Sequence, residues 1–315
     1  MACIFDESWP FVLGQGSMYE RLRRDTRIEV DPHIFHAALI YGDAERDFLA
    51  TTLKEYLDIG QQYGLPMFTC TPTWRASAER VALSRCSGLA VNRDAADFLK
   101  SVRASYGEAA HPIVLSALVG PKGDAYKPDE APDREGARRF HAPQIMELAA
   151  GELDCLEGKT LPSLDEALGM SDVFSETGQP YTLSFVLRPD GTILDGTPFG
   201  EVIDRIDNGV ARAPEFYLVN CVHASVYQAA YQVIRRSHPE QASRLIGLEA
   251  NTSALSPEEL DALEDVAEES PEKFGREVSG LRASTGARYL GGCCGSGTEH
   301  IEALARAAAV PLTVA

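Results

Sequence analysis

No run in this 315-residue chain approaches the ~20 consecutive apolar residues that span a bilayer, so no transmembrane helix is expected. The opening stretch MACIFDESWPFVLGQG lacks a basic start followed by an apolar segment, which predicts a chain without a secretory signal. Asn251-Thr252-Ser253 fits the glycosylation sequon and, with no secretory route, reads as accidental. Positive charge is also scarce, with 29 Lys and Arg against 47 Asp and Glu and a net charge of −18. Nucleic acid and anionic membranes need clustered positive charge, so neither is expected as a partner; the acidic surface reads first as a solubility device. No internal repeat, low-complexity tract or linker divides the chain. No G-x-G-x-x-G follows the first apolar run, which counts against a dinucleotide-binding sheet.

Short apolar runs alternate with helix-prone stretches along the whole sequence. The runs are Phe11 to Leu13, Pro66 to Cys70, Pro112 to Val119, Glu152 to Gly158, Tyr181 to Leu187, Glu215 to Cys221, Arg244 to Ala250 and Ala287 to Cys293. Amphipathic segments such as DAERDFLATTLKEYLDIGQQYG and REGARRFHAPQIMELAAGE lie between them. This rhythm predicts parallel strands buried on both faces. Eight such units predict a single (β/α)8 TIM-type barrel over residues 1–315, with a doubly wound open sheet as the alternative. At 44% hydrophobic residues the chain can fill such a core. The polar segment KGDAYKPDEAPDREG, Lys122 to Gly136, reads as a long loop after the third strand, on the catalytic face of a barrel.

Seven cysteines are an odd number in a chain without an export signal, which fits reduced thiols in the cytoplasm. Cys293 and Cys294 stand side by side between glycines in RYLGGCCGSGTEHIEAL. Adjacent cysteines rarely bond to each other, because the ring is strained; either both are free thiols or both face a third partner such as a metal. Cys221 ends the sixth predicted strand and Cys293 with Cys294 ends the eighth. Parallel strands of a barrel open on one face, so the three sulfurs can converge. Three soft sulfur ligands with an open fourth position describe a catalytic zinc site. Gly291, Gly292 and Gly295 give the backbone the freedom to aim neighbouring sulfurs together. Cys3, Cys70, Cys86 and Cys155 lack this arrangement and read as ordinary buried or surface thiols.

VNC (Val219 to Cys221) with GGCCG (Gly291 to Gly295) resembles the zinc signature of the homocysteine S-methyltransferase family. FTCTPTWRAS, LVGPKG, FHAPQIMELAAGELD, SFVLRPDGTILDGTPF and CCGSGTEHIEAL resemble further family segments, in order along nearly the whole chain, although the last lacks the family's proline. The paired-cysteine motif is the specific one. The resemblance implies an S-methyltransferase in which Cys221, Cys293 and Cys294 hold Zn2+ rather than act as nucleophiles. The acceptor thiol would bind as thiolate and attack a methyl group of S-methylmethionine, S-adenosylmethionine, betaine or a similar donor.

Two segments depart from that family. Its opening D-G-G-x-x-T-E-L is LGQGSMYERL here: Gly14 stands where an aspartate meets the amino group of homocysteine, Gln15 replaces a glycine, and Gly16 and Glu20 match. In DCLEGKTLPSLDEA, Asp154, Thr160, Pro162 and Glu166 match, but Lys159 stands where a glutamate meets the same amino group. Three readings follow. The acceptor is another thiol, with a carboxylate or sulfonate for Lys159; or it is homocysteine, with Glu157 as amino-group partner; or Lys159 is a surface lysine of no consequence. His223, two residues past Cys221, supplies a fourth metal ligand, bonds the substrate, or is a loop histidine doing neither. His141 reads as a structural helix residue, and Asn220 and Ser184 as strand-end groups bonding backbone or substrate. Trp74 and Tyr126, on catalytic-face loops, can pack against a sulfonium donor. The rivals on the same barrel are a zinc-dependent hydrolase or lyase, with Glu157 or His223 as base, and a non-catalytic metal-binding relative.

Overall fold

The computed structural model describes residues 4–24, 28–108, 110–255 and 269–309, so Cys3 lies outside the described residues. Eight parallel strands close into a barrel in sequence order, the last pairing with the first. They are β1 Val12–Gly14, β2 Met67–Cys70, β3 Ile113–Val119, β4 Cys155–Leu161, β5 Tyr181–Phe185, β6 Phe216–Val222, β7 Leu245–Ala250 and β8 Tyr289–Gly292. The helix that covers each in turn is α1 Asp43–Tyr63, α2 Val91–Ala104, α3 Arg134–Ala149, α4 Leu164–Thr177, α5 Phe199–Gly209, α6 Ala224–Ser237, α7 Pro271–Thr285 and α8 Thr298–Ala308. Among the described residues no helix is long and apolar enough to cross a membrane.

Strands in such a barrel are covered on one face by helices and on the other by each other, which is why β3 and β6 are buried at every position. The faces carry different chemistry. Leu156, Leu183, Tyr217, Val219 and Leu248 point outward into one continuous core with the helices. Inside, at the N-terminal end, Val12, Phe68, Val114, Cys155, Phe216, Leu218 and Tyr289 form a separate apolar cluster that Ile4 and Phe5 complete. The Phe5 ring stacks on Phe216 at 4.9 Å and meets Phe68 edge-on at 5.5 Å. The chain ahead of β1 thus plugs the bottom of the barrel and leaves the C-terminal mouth for chemistry.

Seven strands shift by one or two residues at their ends from the sequence-based bounds, and the fourth shifts by three. β4 begins at Cys155, not Glu152, and runs on through Lys159 to Leu161. Glu152 has φ 53° and prolongs the turn after α3. Asp154 accepts from Leu115 N at 2.8 Å and pairs with Arg103, so it caps its neighbours instead of entering the ladder. Alternation then places Cys155, Glu157 and Lys159 on the inner face.

Candidate metal centre

Two bulges shape the mouth. β6 carries one extra residue against β7 between Asn220 and Val222, and that residue, Cys221, has φ 56°. β4 has a matching irregularity against β5 between Gly158 and Leu161, where Thr160 has φ 65°. Left-handed backbone at a non-glycine residue costs roughly 1–3 kcal/mol and persists only where its surroundings enforce it. Asn220 supplies that enforcement for both. Its side chain donates to Thr160 Oγ1 at 2.8 Å, accepts from Thr160 N at 3.2 Å and accepts from Ser184 Oγ at 2.6 Å. A bulge is a device for re-aiming a side chain, and here the bulged residue is the cysteine that meets the pair following β8.

The other two cysteines sit on the turn after β8. Cys293 N donates to Ala250 O at 2.7 Å and Cys294 N to Asn251 Oδ1 at 3.1 Å. Gly295 has φ 83°, and a Cβ there would strike Thr252 Oγ1, so the turn that follows the cysteine pair requires glycine. The result brings the sulfurs of Cys221, Cys293 and Cys294 within 4.8 Å of one another. Cys294 Sγ lies 4.0 Å from Cys221 Sγ, and Cys221 and Cys293 are joined as a disulfide with Cα atoms 5.5 Å apart. A tetrahedral zinc with Zn–S bonds of about 2.3 Å sets its sulfurs about 3.8 Å apart, so the three cysteines in their thiol form suit that ion.

Beneath the sulfurs lies a buried charged layer. Lys159 Nζ is 3.0 Å from Glu157 Oε1 and 2.9 Å from Glu249 Oε1, with side chains 11%, 0% and 6% exposed. Ser116 Oγ donates to Glu157 Oε2 at 2.7 Å, and the Tyr289 hydroxyl donates to Glu249. Burial pushes the Glu157 carboxyl up, against the pull of Lys159. Burial also disfavours the Lys159 ammonium, but Glu157 and Glu249 outweigh it and hold its pKa well above the ordinary lysine value. Lys159 is therefore an internal ion-pair partner, not a surface lysine. Sequence reasoning missed Glu249 and Tyr289; the available signal was a lone acid in the otherwise apolar LIGLEA.

The remaining predicted residues divide. Gln15 Oε1 accepts from the Thr69 hydroxyl and from Cys70 N at 3.4 Å, and its carbonyl takes Gly292 N at 2.9 Å, so it ties β1 to β2 and to the cysteine turn. Gly16 lies against Tyr56, whose ring leaves no room for a Cβ. His223 caps α6: Nδ1 accepts from Ser225 N at 3.2 Å, while Nε2 faces Glu269 at 3.1 Å. Both ring nitrogens are engaged away from the sulfurs. His223, Glu269 and Glu277 form a second cluster of metal-ligating types, but Lys273 already pairs with Glu269 at 2.6 Å.

His141 and Glu166, both fully buried, meet at 2.8 Å, and Glu166 also accepts from Lys122 N at 2.7 Å. They pin the base of the loop that carries Tyr126 to hydrogen-bonding contact with Cys294. Trp74 donates to Lys159 O at 3.3 Å, and one of its faces is covered by the Arg75 guanidinium at 4.5 Å. Cys70 and Cys155 are buried in the barrel, where burial pushes the Cys70 thiol up to about 12.

Comparison with known proteins adds a second line. The sequence profile described as homocysteine S-methyltransferase matches residues 12–308. Homocysteine S-methyltransferase YbgG of Bacillus subtilis (strain 168) is 22% identical over 313 residues, 95% of each chain. Homocysteine S-methyltransferase of Escherichia coli (strain K12) is 25% identical over 206 residues, 61% of this chain and 62% of its own. The crystal structure of the homocysteine methyltransferase MmuM from Escherichia coli in its metallated form aligns with a TM-score of 0.72 at 19% identity, covering 95% of this chain and 96% of that one. The oxidized form of the same protein aligns with a TM-score of 0.72 at 20% identity, covering 94% and 96%. These structural likenesses establish a shared fold.

Proposed function

The chain belongs to the homocysteine S-methyltransferase family, and from that premise we propose that it transfers a methyl group to a thiol held at Cys221, Cys293 and Cys294. The observation that carries this reading is the convergence of three sulfurs from β6 and β8 at one mouth of the barrel. Structures of one relative, MmuM, exist in metallated and oxidized forms. The disulfide between Cys221 and Cys293 corresponds in this reading to a metal-free oxidised state, and a reducing cytoplasm would supply the thiols.

Zinc bound to the three thiolates would supply the positive charge that keeps an acceptor thiol ionised at neutral pH. The chain's own groups do the rest. Asn220 holds the Cys221 bulge in place, and Tyr126 on its loop contacts Cys294. The acceptor sulfur then attacks the methyl carbon of a sulfonium or ammonium donor. The new S–C bond forms as the bond from methyl to donor breaks, and the donor leaves with that electron pair. S-Methylmethionine, S-adenosylmethionine and betaine are the donor classes to compare, with homocysteine or a related thiol as acceptor.

The test is reduction, zinc loading and assay of each donor with homocysteine and amine-free thiols. Methyl transfer that disappears in Cys294→Ser together with bound zinc supports the reading. Zinc retained with no transfer between any pair would make the chain a non-catalytic relative. Turnover without methyl transfer to sulfur would move it to the hydrolase or lyase class.

A further inference from the structure

The ion triad beneath the sulfurs bears on which thiol can enter. Glu249 is in register with Asn220 on β6 and with Gly291 on β8. Those residues immediately precede Cys221 and lie two positions before Cys293. Glu157 reaches in from β4, so two carboxylates from well-separated strands aim at one point just below the cysteines, and Lys159 Nζ occupies it. We infer that Lys159 is a built-in counter-ion: its ammonium fills the cation seat that Glu157 and Glu249 form below the cysteines, so the centre receives a thiol that carries no ammonium group. The inference rests on the reading of the three cysteines as a thiol-binding metal centre.

Three observations carry it. The seat is already occupied and braced, since Ser116 and Tyr289 donate to the same two carboxylates that hold Lys159. A second ammonium at Glu157 or Glu249 would stand beside Lys159 among largely buried side chains, where like charges repel strongly. Next, the Lys159 ammonium lies 3.0 Å from Glu157 Oε1 and 2.9 Å from Glu249 Oε1, so both carboxylates already face a cation. Finally, β1 cannot contribute another acid. A Cβ at Gly14 would come within 2.5 Å of the Tyr289 hydroxyl oxygen and 2.9 Å of Gly291 Cα, so Tyr289 fills the space a side chain there would need. With both carboxylates on it, Lys159 is not a free anion site either; a carboxylate on the acceptor would have to be met elsewhere.

The test compares homocysteine with 4-mercaptobutyrate, which is homocysteine without its amino group. The reduced protein is loaded with cobalt, and each thiol is titrated against the sulfur-to-cobalt charge-transfer band. In the wild type, 4-mercaptobutyrate is expected to saturate at a concentration about tenfold or more below that of homocysteine. Lys159→Ala empties the seat and should reverse the order. Wild-type binding of homocysteine as tight as that of the amine-free acid, or an order unchanged in Lys159→Ala, overturns the proposal.

A metal-independent arm uses ethylammonium chloride, whose cation replaces the missing side-chain end. It should raise the Tm of Lys159→Ala, or restore its folding, while sodium chloride does not and the wild type is unaffected. Equal effects of both salts on the variant count against the seat. Should cobalt fail to bind the reduced protein, the metal–thiol reading fails, and the ethylammonium arm still decides the role of Lys159.

Discussion

Asn220 and Thr160 are joined by two reciprocal hydrogen bonds, Nδ2 to Oγ1 at 2.8 Å and backbone N to Oδ1 at 3.2 Å, which lock the bulge on β4 to the bulge on β6. Cys221 follows Asn220 directly and holds φ 56°. The orientation of one sulfur therefore depends on an amide that touches no sulfur itself. Asn220→Ala removes this clamp and leaves the strained residue free to relax. Zinc affinity of the reduced protein should fall about 10- to 100-fold, the usual cost of losing a group that orients a ligand. Competition with a chromogenic chelator measures it, with far-UV circular dichroism showing that the barrel is intact. Unchanged affinity would mean that the bulge is held by the ladder alone.

Cysteine substitutions separate ligands from bystanders. Cys294→Ser should release zinc from the reduced protein, because an alcohol is a poor, protonated substitute for a thiolate. Cys86→Ala should leave the stoichiometry at one zinc per chain, since Cys86 packs with Ile34, Ala76 and Val91 in a separate cluster and is not among the three converging sulfurs. Metal counted after thiol modification decides between them. Equal loss in both variants would point to unfolding instead of lost ligation.

Much of this centre is legible in the sequence. The eight-unit rhythm places Cys221 and Cys293 at strand ends, and a parallel barrel brings strand ends to one face whatever lies between. Two things escape a one-dimensional reading. Pairing across the barrel is one: Glu249 and Lys159 are 90 residues apart and meet only because the barrel closes. Bulges are the other, because Thr160 and Cys221 take left-handed backbone that their side chains disfavour and that tertiary contacts impose. The fourth strand is displaced for a related reason, Asp154 being recruited as a cap by Leu115 and Arg103.

The plug of the barrel floor gives a stability prediction remote from the chemistry. Phe5 is 3% exposed and packs against Phe68, Phe216 and Tyr289. Phe5→Ala should lower the unfolding free energy by about 3–5 kcal/mol, the range for deleting a buried aromatic ring. Urea denaturation of the reduced, metal-free protein reads this directly. A loss below about 1 kcal/mol would show that the segment ahead of β1 is not part of the cooperative core.

Glu157 gives the protein a specific pH signature. Burial raises its folded pKa above the ordinary carboxylate value of 4.5. In the window between 4.5 and that raised value the folded chain keeps a proton which the unfolded chain has released. The native state then binds more protons than the unfolded state, so this group makes stability fall as pH rises through the window. Its contribution is most favourable below 4.5 and is lost once the folded carboxyl ionises. Glu157→Gln removes the titration while keeping the shape and an acceptor for Ser116 Oγ. Relative to the variant, the metal-free wild type should lose up to about 1.4 kcal/mol per pH unit across the window. Urea midpoints for both proteins at half-unit intervals from pH 4.5 to 8 would show it. Parallel curves would mean that Lys159 keeps Glu157 ionised in the fold, and the triad would then carry a net negative charge that can still attract a cation.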